Sequence, residues 1–396
     1  MKQQAQISNF NTLKALKIIN ELKKGFPIIG ITGPRQSGKT TLAKMAFPEK
    51  AYVSLETPSN LDFALNDPVG FLEKYQEGAI IDEAQNAPEL FSYLQGIVDE
   101  NKINGQFVLT GSQQFGLLAG ITQSLAGRIG LVELLPLAIS ELGKRRLELN
   151  QQILWGQYPS LYDRELKPQI WYQDYIATYL EKDVRQLINI KDTHKFRRFL
   201  KLCAARTGQL LNKDELREAC EINSKTFSAW LSILEASYII HLVPPFFQNY
   251  SKRVVKSPKL YFNDTGLACS LLGLNSSEEV GVSSLKGALF ETLVYSEVIK
   301  RRLNHRLNYN LYFWRDSKGV ELDLVFEEML KVTNVEIKSS ATIQSDHLKN
   351  FAKFSRYAKE QAGKKFLIYG GNEEQTRKDI KIYPWFMASE LLKLRS

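Results

Sequence analysis

Gly33-Pro34-Arg35-Gln36-Ser37-Gly38-Lys39-Thr40 fits the pattern G-x-x-x-x-G-K-[ST], and its flanks decide how it is read. Upstream, Phe26-Pro27-Ile28-Ile29-Gly30-Ile31-Thr32 reads as a short buried strand; downstream, Thr41-Leu42-Ala43-Lys44-Met45-Ala46-Phe47 reads as the start of a helix. Strand, glycine-rich turn and helix in that order make a phosphate-binding loop. Glycine lets the backbone wrap closely enough for its N–H groups to point inward, and the helix N-terminus adds partial positive charge. Residues 33–41 are therefore the candidate nucleotide-binding segment. Lys39 is expected to reach the β- and γ-phosphates, and the Thr40 hydroxyl to ligate Mg²⁺. A chance Gly-Lys-Thr in a turn is the plainer reading, but it leaves the strand before and the helix after unexplained.

Working outward, residues 26–140 alternate short apolar runs with helical patterns, the signature of a parallel sheet covered on both faces. Strands are expected at 27–32, 51–55, 78–82, 106–110 and 130–134. Gly78-Ala79-Ile80-Ile81-Asp82-Glu83 is an apolar strand ending in two carboxylates. Asp82 at the tip suits the Mg²⁺ shell, and Glu83, one residue on, suits polarising the attacking water. Gln106-Phe107-Val108-Leu109-Thr110 ends in Gly111-Ser112-Gln113. In ATPases of the additional-strand class a polar residue here lies between metal site and γ-phosphate, which makes Ser112 or Gln113 a candidate for orienting the water. Arg128, just before the next strand, is a candidate for stabilising charge on the transferred phosphoryl group, in cis or from a neighbouring subunit; an ordinary surface arginine is the alternative.

Composition sets outer limits. The 396 residues suggest two to four domains, and 44% hydrophobic residues suffice for a core in each. A net charge of +9 and a pI of about 9.1 favour acidic partners, nucleic acid first among them. The three cysteines, Cys203, Cys220 and Cys269, and four dispersed histidines show no metal-ligand spacing, and a reducing cytoplasm is expected. No apolar run is long enough to cross a membrane, and the first residues lack the apolar core of a signal peptide.

Beyond the sheet, residues 1–25 read as a lead-in helix and 141–205 as a polar helical lid, broken by a turn at Trp155-Gly156-Gln157-Tyr158-Pro159. Residues 206–265 read as a winged helix-turn-helix: a helix from Lys213 capped by Asn212, a turn at Ile222-Asn223-Ser224, a second helix from Lys225, and a hairpin from 238–243 and 259–262. Lys225, and Lys252, Arg253 and Lys256 in the intervening loop, are candidate contacts to double-stranded DNA; a solvated loop or a protein interface is the alternative. Residues 263–284, rich in Gly and Ser, read as a linker.

From 280 to 396 the pattern restarts as helix, three strands, helix, strand. Asp323 on one strand, with Glu336 and Lys338 sharing a face of the next, is the arrangement of a restriction-endonuclease-like fold. There Asp323 and Glu336 are expected to bind Mg²⁺, Lys338 to assist the water, and Glu291, less readily Glu297, to close the acidic cluster. Such a domain can also keep its fold while only binding.

The segments GPRQSGKTTLAK (33–44), AIIDEAQNAPELF (79–91), FVLTGSQQF (107–115) and LAGRIGLVELLPLAISEL (125–142) resemble the AAA-type ATPases of bacteria and archaea that carry a C-terminal domain of unassigned function. The resemblance continues in YIATYLEKDVR (175–185), AARTGQLLNKDEL (204–216), WLSILEASYII (230–240), VKSPKLYFNDTGLA (255–268), KGALFETLV (286–294) and FWRDSKGVELDLVF (313–326), so it spans most of the chain. It implies an ATP-binding protein and leaves open what the ATP is used for. The expectation is thus an α/β chain: a P-loop NTPase sheet (1–140), a helical lid (141–205), a winged helix-turn-helix (206–265) and a restriction-endonuclease-like domain (280–396). It would hydrolyse ATP with Mg²⁺, assemble with copies of itself and couple to nucleic acid. An ATP-regulated nuclease and a nucleotide-switched interaction protein are the alternatives.

Overall fold

The computed structural model describes residues 14–112, 124–164, 166–184, 192–247, 257–328 and 330–392. Gln113, Lys252, Arg253 and Lys256 lie outside them. The chain divides into two units, one formed by 1–137 with two short returning segments (236–238 and 303–307), the other by the remainder.

All five strands expected in the first unit form: β1 (Ile28–Thr32), β2 (Ala51–Ser54), β3 (Ala79–Asp82), β4 (Phe107–Gly111) and β5 (Ile129–Glu133). They lie parallel in the order β2-β3-β4-β1-β5. β4 is thus inserted between the strand that feeds the loop and the strand that ends in the carboxylates. Side chains alternate between the two faces, as a strand's period of two requires. The helices of this unit are α1 (Lys14–Leu22), α2 (Lys39–Ala46), α3 (Pro58–Asn66), α4 (Pro68–Glu73) and α5 (Leu90–Asn101). Ile28, Ile81 and Leu109 face one buried cluster with Phe71 and Leu72 of α4 and Leu90, Phe91 and Leu94 of α5. Ile29, Ile31, Ile80 and Val108 face the other, with Ile19 and Leu22 of α1 and Leu42 and Ala43 of α2. Each fully buried Ile or Leu contributes about 1.5–3 kcal/mol relative to exposure.

In the second unit, α6 (Leu149–Trp155) ends at Gly156, and α7 (Pro168–Tyr175) follows. The expected polar character fails here: Tyr158, Trp171, Tyr172 and Tyr175 pack together as a buried aromatic cluster, ring centroids about 5–6 Å apart. Next come α8 (Thr193–Ala205), β6 (Gln209–Leu210), α9 (Lys213–Cys220), α10 (Ser224–Ala236), β7 (Ile240–Val243) and β8 (Lys259–Phe262), with the three strands in the order β6-β8-β7. Asn212 caps α9 by accepting from Glu215 N, and Asn223 accepts from Thr226 N at the start of α10.

The segment read as a linker is helical instead: α11 (Thr265–Leu272) and α12 (Ser277–Val282). Its small polar residues are caps and close contacts. Asp264 caps α11 at Leu267 N, Ser276 caps α12 at Glu279 N, and a Cβ on Gly266 would stand 2.4 Å from the Tyr172 hydroxyl.

The C-terminal sheet follows α13 (Lys286–Leu303): β9 (Leu311–Arg315), β10 (Glu321–Glu328), β11 (Lys331–Lys338), then α14 (Lys349–Ala358), β12 (Ala362–Tyr369), β13 (Gln375–Arg377) and β14 (Ile380–Pro384). The order is β13-β14-β12-β11-β10-β9. β9, β10 and β11 are antiparallel, and β11, β12 and β14 parallel. Phe351, Phe354 and Ala358 of α14 pack on Leu322, Val325, Leu367 and Ile382. β13 and β14 are additions to the expected pattern. Among the described residues no helix is long and apolar enough to cross a membrane.

Candidate functional site: a phosphate loop and a separate carboxylate cluster

The loop of residues 33–38 leaves β1 and enters α2 as expected. Gly38, before the helix, has φ 98°, a conformation that favours glycine. Gly33 also has a positive φ, and a Cβ there would stand 2.0 Å from the Leu134 carbonyl oxygen. Lys39 is buried and donates to the carbonyls of Gly33 (3.1 Å) and Pro34 (2.9 Å). Burial pulls its ammonium down to about 8, with Glu83 and Asp82 opposing that shift. Arg35 is ion-paired with Glu56 at 2.9 Å. Ser37 Oγ is buried without a hydrogen-bond partner, an open position inside the loop.

Asp82, at the tip of β3, is gripped by hydroxyls. Thr40 Oγ1 donates at 3.0 and 3.2 Å, Tyr52 OH at 2.8 Å, and Thr110 Oγ1 also donates. Contact between the Thr40 hydroxyl and the Asp82 carboxylate puts two oxygens of the kind a hard cation takes side by side. With Lys39 next to them and an unpartnered hydroxyl in the loop, the residues present fit Mg²⁺ with a nucleotide triphosphate. Tyr52 and Thr110 were not anticipated. Thr110 had a findable signal, since it tops the strand beside β3; Tyr52 had none.

Glu83 has φ 54° and ψ 47°, the left-handed region, which costs a non-glycine residue about 1–2 kcal/mol. Its carboxylate accepts from Ser112 Oγ at 2.8 Å and from Gln85 Nε2 at 2.5 Å. The Glu83 carboxylate thus meets the end of β4, where Ser112 and Gln85 hold it. Ser112 stands where the sequence put it, at the end of the inserted strand.

Arg128 is a correction. It lies at the start of β5, its carbonyl accepting from Ile28 N at the start of β1, whereas the loop leaves the far end of β1. Five residues of strand, about 16 Å, separate the two levels. Its guanidinium is held by both carboxylate oxygens of Asp99, at 2.6 and 2.8 Å. A role in cis at the phosphate loop is therefore excluded by its position.

In the second unit the Asp–Glu–Lys constellation converges. Leu324 pairs with Val335, so in the antiparallel register Asp323 lies opposite Glu336. Lys338 Nζ is 2.6 Å from Glu336 Oε1 and 3.7 Å from Asp323 Oδ2, and Asp323 Oδ2 also accepts from Ile337 N at 2.6 Å. Burial, reinforced by Asp323, pushes Glu336 up to about 8.

Glu291 lies near enough to Asp323 to feel its charge, but its direct partners are on another strand. It accepts from Lys259 Nζ (2.8 Å) and Tyr261 OH (2.5 Å), both on β8. Burial pushes it up to about 7, Lys259 opposing and Asp323 adding. Glu297 belongs to another network, accepting from Ile139 N at 2.9 Å and Gln157 Nε2 at 2.7 Å. Among the described residues no group of three or more Asp, Glu, His or Cys side chains is placed to hold a metal ion. As folded, ammonium groups stand against these carboxylates. Lys225, at the start of α10, is exposed.

Comparison with known proteins finds three family models along the chain. Residues 25–143 match an AAA domain, and 146–278 and 286–387 match two domains of unknown function (DUF8612 and DUF4143). The uncharacterized proteins Mb2031c of Mycobacterium bovis and Rv2008c of Mycobacterium tuberculosis are each 32% identical over 321 residues, 80% of this chain and 71% of theirs. Among solved structures, the Walker-type ATPase PABY2304 of Pyrococcus abyssi matches with 15% identity over 66% of this chain and 95% of that one, TM-score 0.43. The RuvB Holliday junction branch migration motor of Thermotoga maritima matches with 15% identity over 59% and 90%, TM-score 0.29.

Proposed function

The chain belongs to the AAA-type ATPase family whose members carry a C-terminal domain of unknown function, and from that premise we propose that it binds ATP with Mg²⁺ and hydrolyses it to ADP and phosphate. The observation that carries this reading is the meeting of the Thr40 hydroxyl with the Asp82 carboxylate, with Glu83 held one residue away by Ser112. Thr40 and Asp82 would hold Mg²⁺, which supplies positive charge against the β- and γ-phosphate oxygens. Lys39 exchanges its two carbonyl partners for phosphate oxygens. Glu83 accepts the proton of the water that attacks the γ-phosphorus, while the bond to the bridging oxygen breaks. Ser112 fixes the direction in which Glu83 accepts. Phosphate release from ATP, measured with and without double-stranded DNA, tests the proposal; no turnover above a Lys39→Ala control would overturn it and favour a nucleotide-switched interaction protein.

Affinity for ATP should depend on pH through Lys39. The free chain holds this ammonium at about 8. Bound phosphates favour its charged form, so its pKa is higher in the complex. Affinity is then full below about pH 8 and falls as pH rises above it, by up to about tenfold per unit. Calorimetric titration between pH 6.5 and 9.5 measures it, and a flat profile would show that Lys39 does not titrate.

Coupling to nucleic acid is part of the same proposal. The element order α8-β6-α9-α10-β7-β8 supports a winged helix-turn-helix, with the exposed Lys225 at the start of its second helix. If that helix tracks DNA phosphates, Lys225→Ala should weaken binding equally across sequences and flatten the salt dependence by about one unit of slope. An unchanged slope moves the contact elsewhere.

One observation favours a second reading, an ATP-regulated nuclease: Asp323, Glu336 and Lys338 share one face of a sheet whose helix and strand order supports the restriction-endonuclease-like assignment. DNA that stays intact with Mg²⁺ or Mn²⁺ would leave ATP hydrolysis as the only catalytic activity. A role for Arg128 requires a second copy of the chain and release from Asp99; sedimentation with ATP tests whether copies assemble.

A further inference from the structure

Four carboxylates gather at the C-terminal centre: Glu291 from α13, Glu321 and Asp323 from β10, and Glu336 from β11. Facing them are Lys338, Lys259 and, at 3.7 Å from Glu321, Arg315. Lys259 is the most deeply placed of these cations. Its side chain is 4% exposed, and its Nζ lies 2.8 Å from Glu291 Oε1 and 2.5 Å from Glu321 Oε1. Burial alone would lower the pKa of such an ammonium, but Glu291, Asp323 and Glu321 together hold it above its ordinary value.

Bridging carboxylates that come from two different elements is the task a divalent cation performs in an acidic centre. Lysine performs it here with a single charge. Glu336 supplies an independent observation. It is 2% exposed, and its Oε2 is buried with no hydrogen-bond partner while Oε1 takes Lys338. An unsatisfied buried carboxylate oxygen is costly and marks an open ligand position. Access exists as well: a cleft of about 370 Å³, with Arg206, Lys259, Arg315 and Glu321 in its wall, opens onto the bridge.

We propose that Lys259 is an internal cation standing where a divalent metal would bind, bridging Glu291 and Glu321 and keeping the centre closed to metal until it is withdrawn. The proposal rests on reading this centre as the metal site of a nuclease-like domain. Its consequence is a connection between two modules. Lys259 is carried by β8, in the three-stranded sheet of the segment read as a winged helix-turn-helix, whereas Asp323 and Glu336 belong to the six-stranded sheet.

The test is a titration of the full, nucleotide-free chain with Mn²⁺, following free Mn²⁺ by electron paramagnetic resonance. Lys259→Met is expected to bind one Mn²⁺ at least about tenfold more tightly than wild type, because one buried positive charge no longer opposes the ion. Asp323→Asn on that background should remove the gain, which separates this centre from the phosphate loop. Lys259→Arg should behave as wild type. If the methionine variant does not fold, Lys259→Gln keeps a donor for Glu291 and gives the same reading. Wild-type affinity in both neutral variants overturns the proposal. If wild type already binds Mn²⁺ tightly and Asp323→Asn abolishes it, Lys259 is no lock but the metal centre stands. If no chain binds Mn²⁺ in an Asp323-dependent way, the metal-centre reading falls too.

Discussion

Glu83→Gln is expected to leave ATP binding intact and to slow hydrolysis by about 10²-fold or more, the range for losing a group that takes a proton in the transition state. Glutamine keeps the shape of the side chain and can still accept from the Ser112 hydroxyl, now 2.8 Å from the carboxylate. It cannot take up a proton. Glu83 helps to hold Lys39 charged, but bound phosphates take over that task in the complex, so the affinity for ATP should change little. Single-turnover hydrolysis beside equilibrium binding separates the two quantities. Normal turnover would remove Glu83 from the mechanism, and a parallel loss of affinity would make it a binding residue.

Lys39→Ala should remove most of the affinity itself. Truncating one partner of a buried charge pair costs about 2–5 kcal/mol, or roughly 30- to several thousand-fold in Kd. Among the loop residues, Arg35 is the other cation, and it is paired with Glu56 at 2.9 Å and 38% exposed. It cannot take over a buried position. The alanine variant should fold normally, since Lys39 makes only two hydrogen bonds, both to carbonyls of its own loop. Retained tight binding of ATP would mean that the nucleotide is held elsewhere.

The ATPase half was legible because its chemistry is local. Eight consecutive residues carry the loop, and Asp82 and Glu83 follow their own strand directly. The alternation of apolar runs then fixes which strands exist, and all five were found within a residue or two. What the sequence hid was contact between distant segments. Tyr52 reaches Asp82 from a neighbouring strand, and nothing around Tyr52 announces it. Lys259 reaches Glu291 and Glu321 across 32 and 62 positions, so the cluster expected from Asp323, Glu336, Lys338 and Glu291 came with an ammonium no spacing could reveal. Arg128 misled because its position along the chain, just before a strand, says nothing about which end of the sheet it occupies. The Gly/Ser run at 263–284 misled for a related reason: caps and close packing select the same residues as a linker does.

The place of β1 in the sheet has a consequence for how the chain is made. Its two neighbours, β4 and β5, come from residues 107–111 and 129–133, long after residues 28–32 have left the ribosome. At about 5–20 residues per second, some 5–20 s of synthesis pass before the second neighbour exists. Until then the strand that feeds the phosphate loop has no ladder to join, and its three isoleucines have no finished interior to enter. The nascent chain therefore displays the complete nucleotide motif well before it can grip a nucleotide. The first residues to signal the fold belong to the last part of the domain to close.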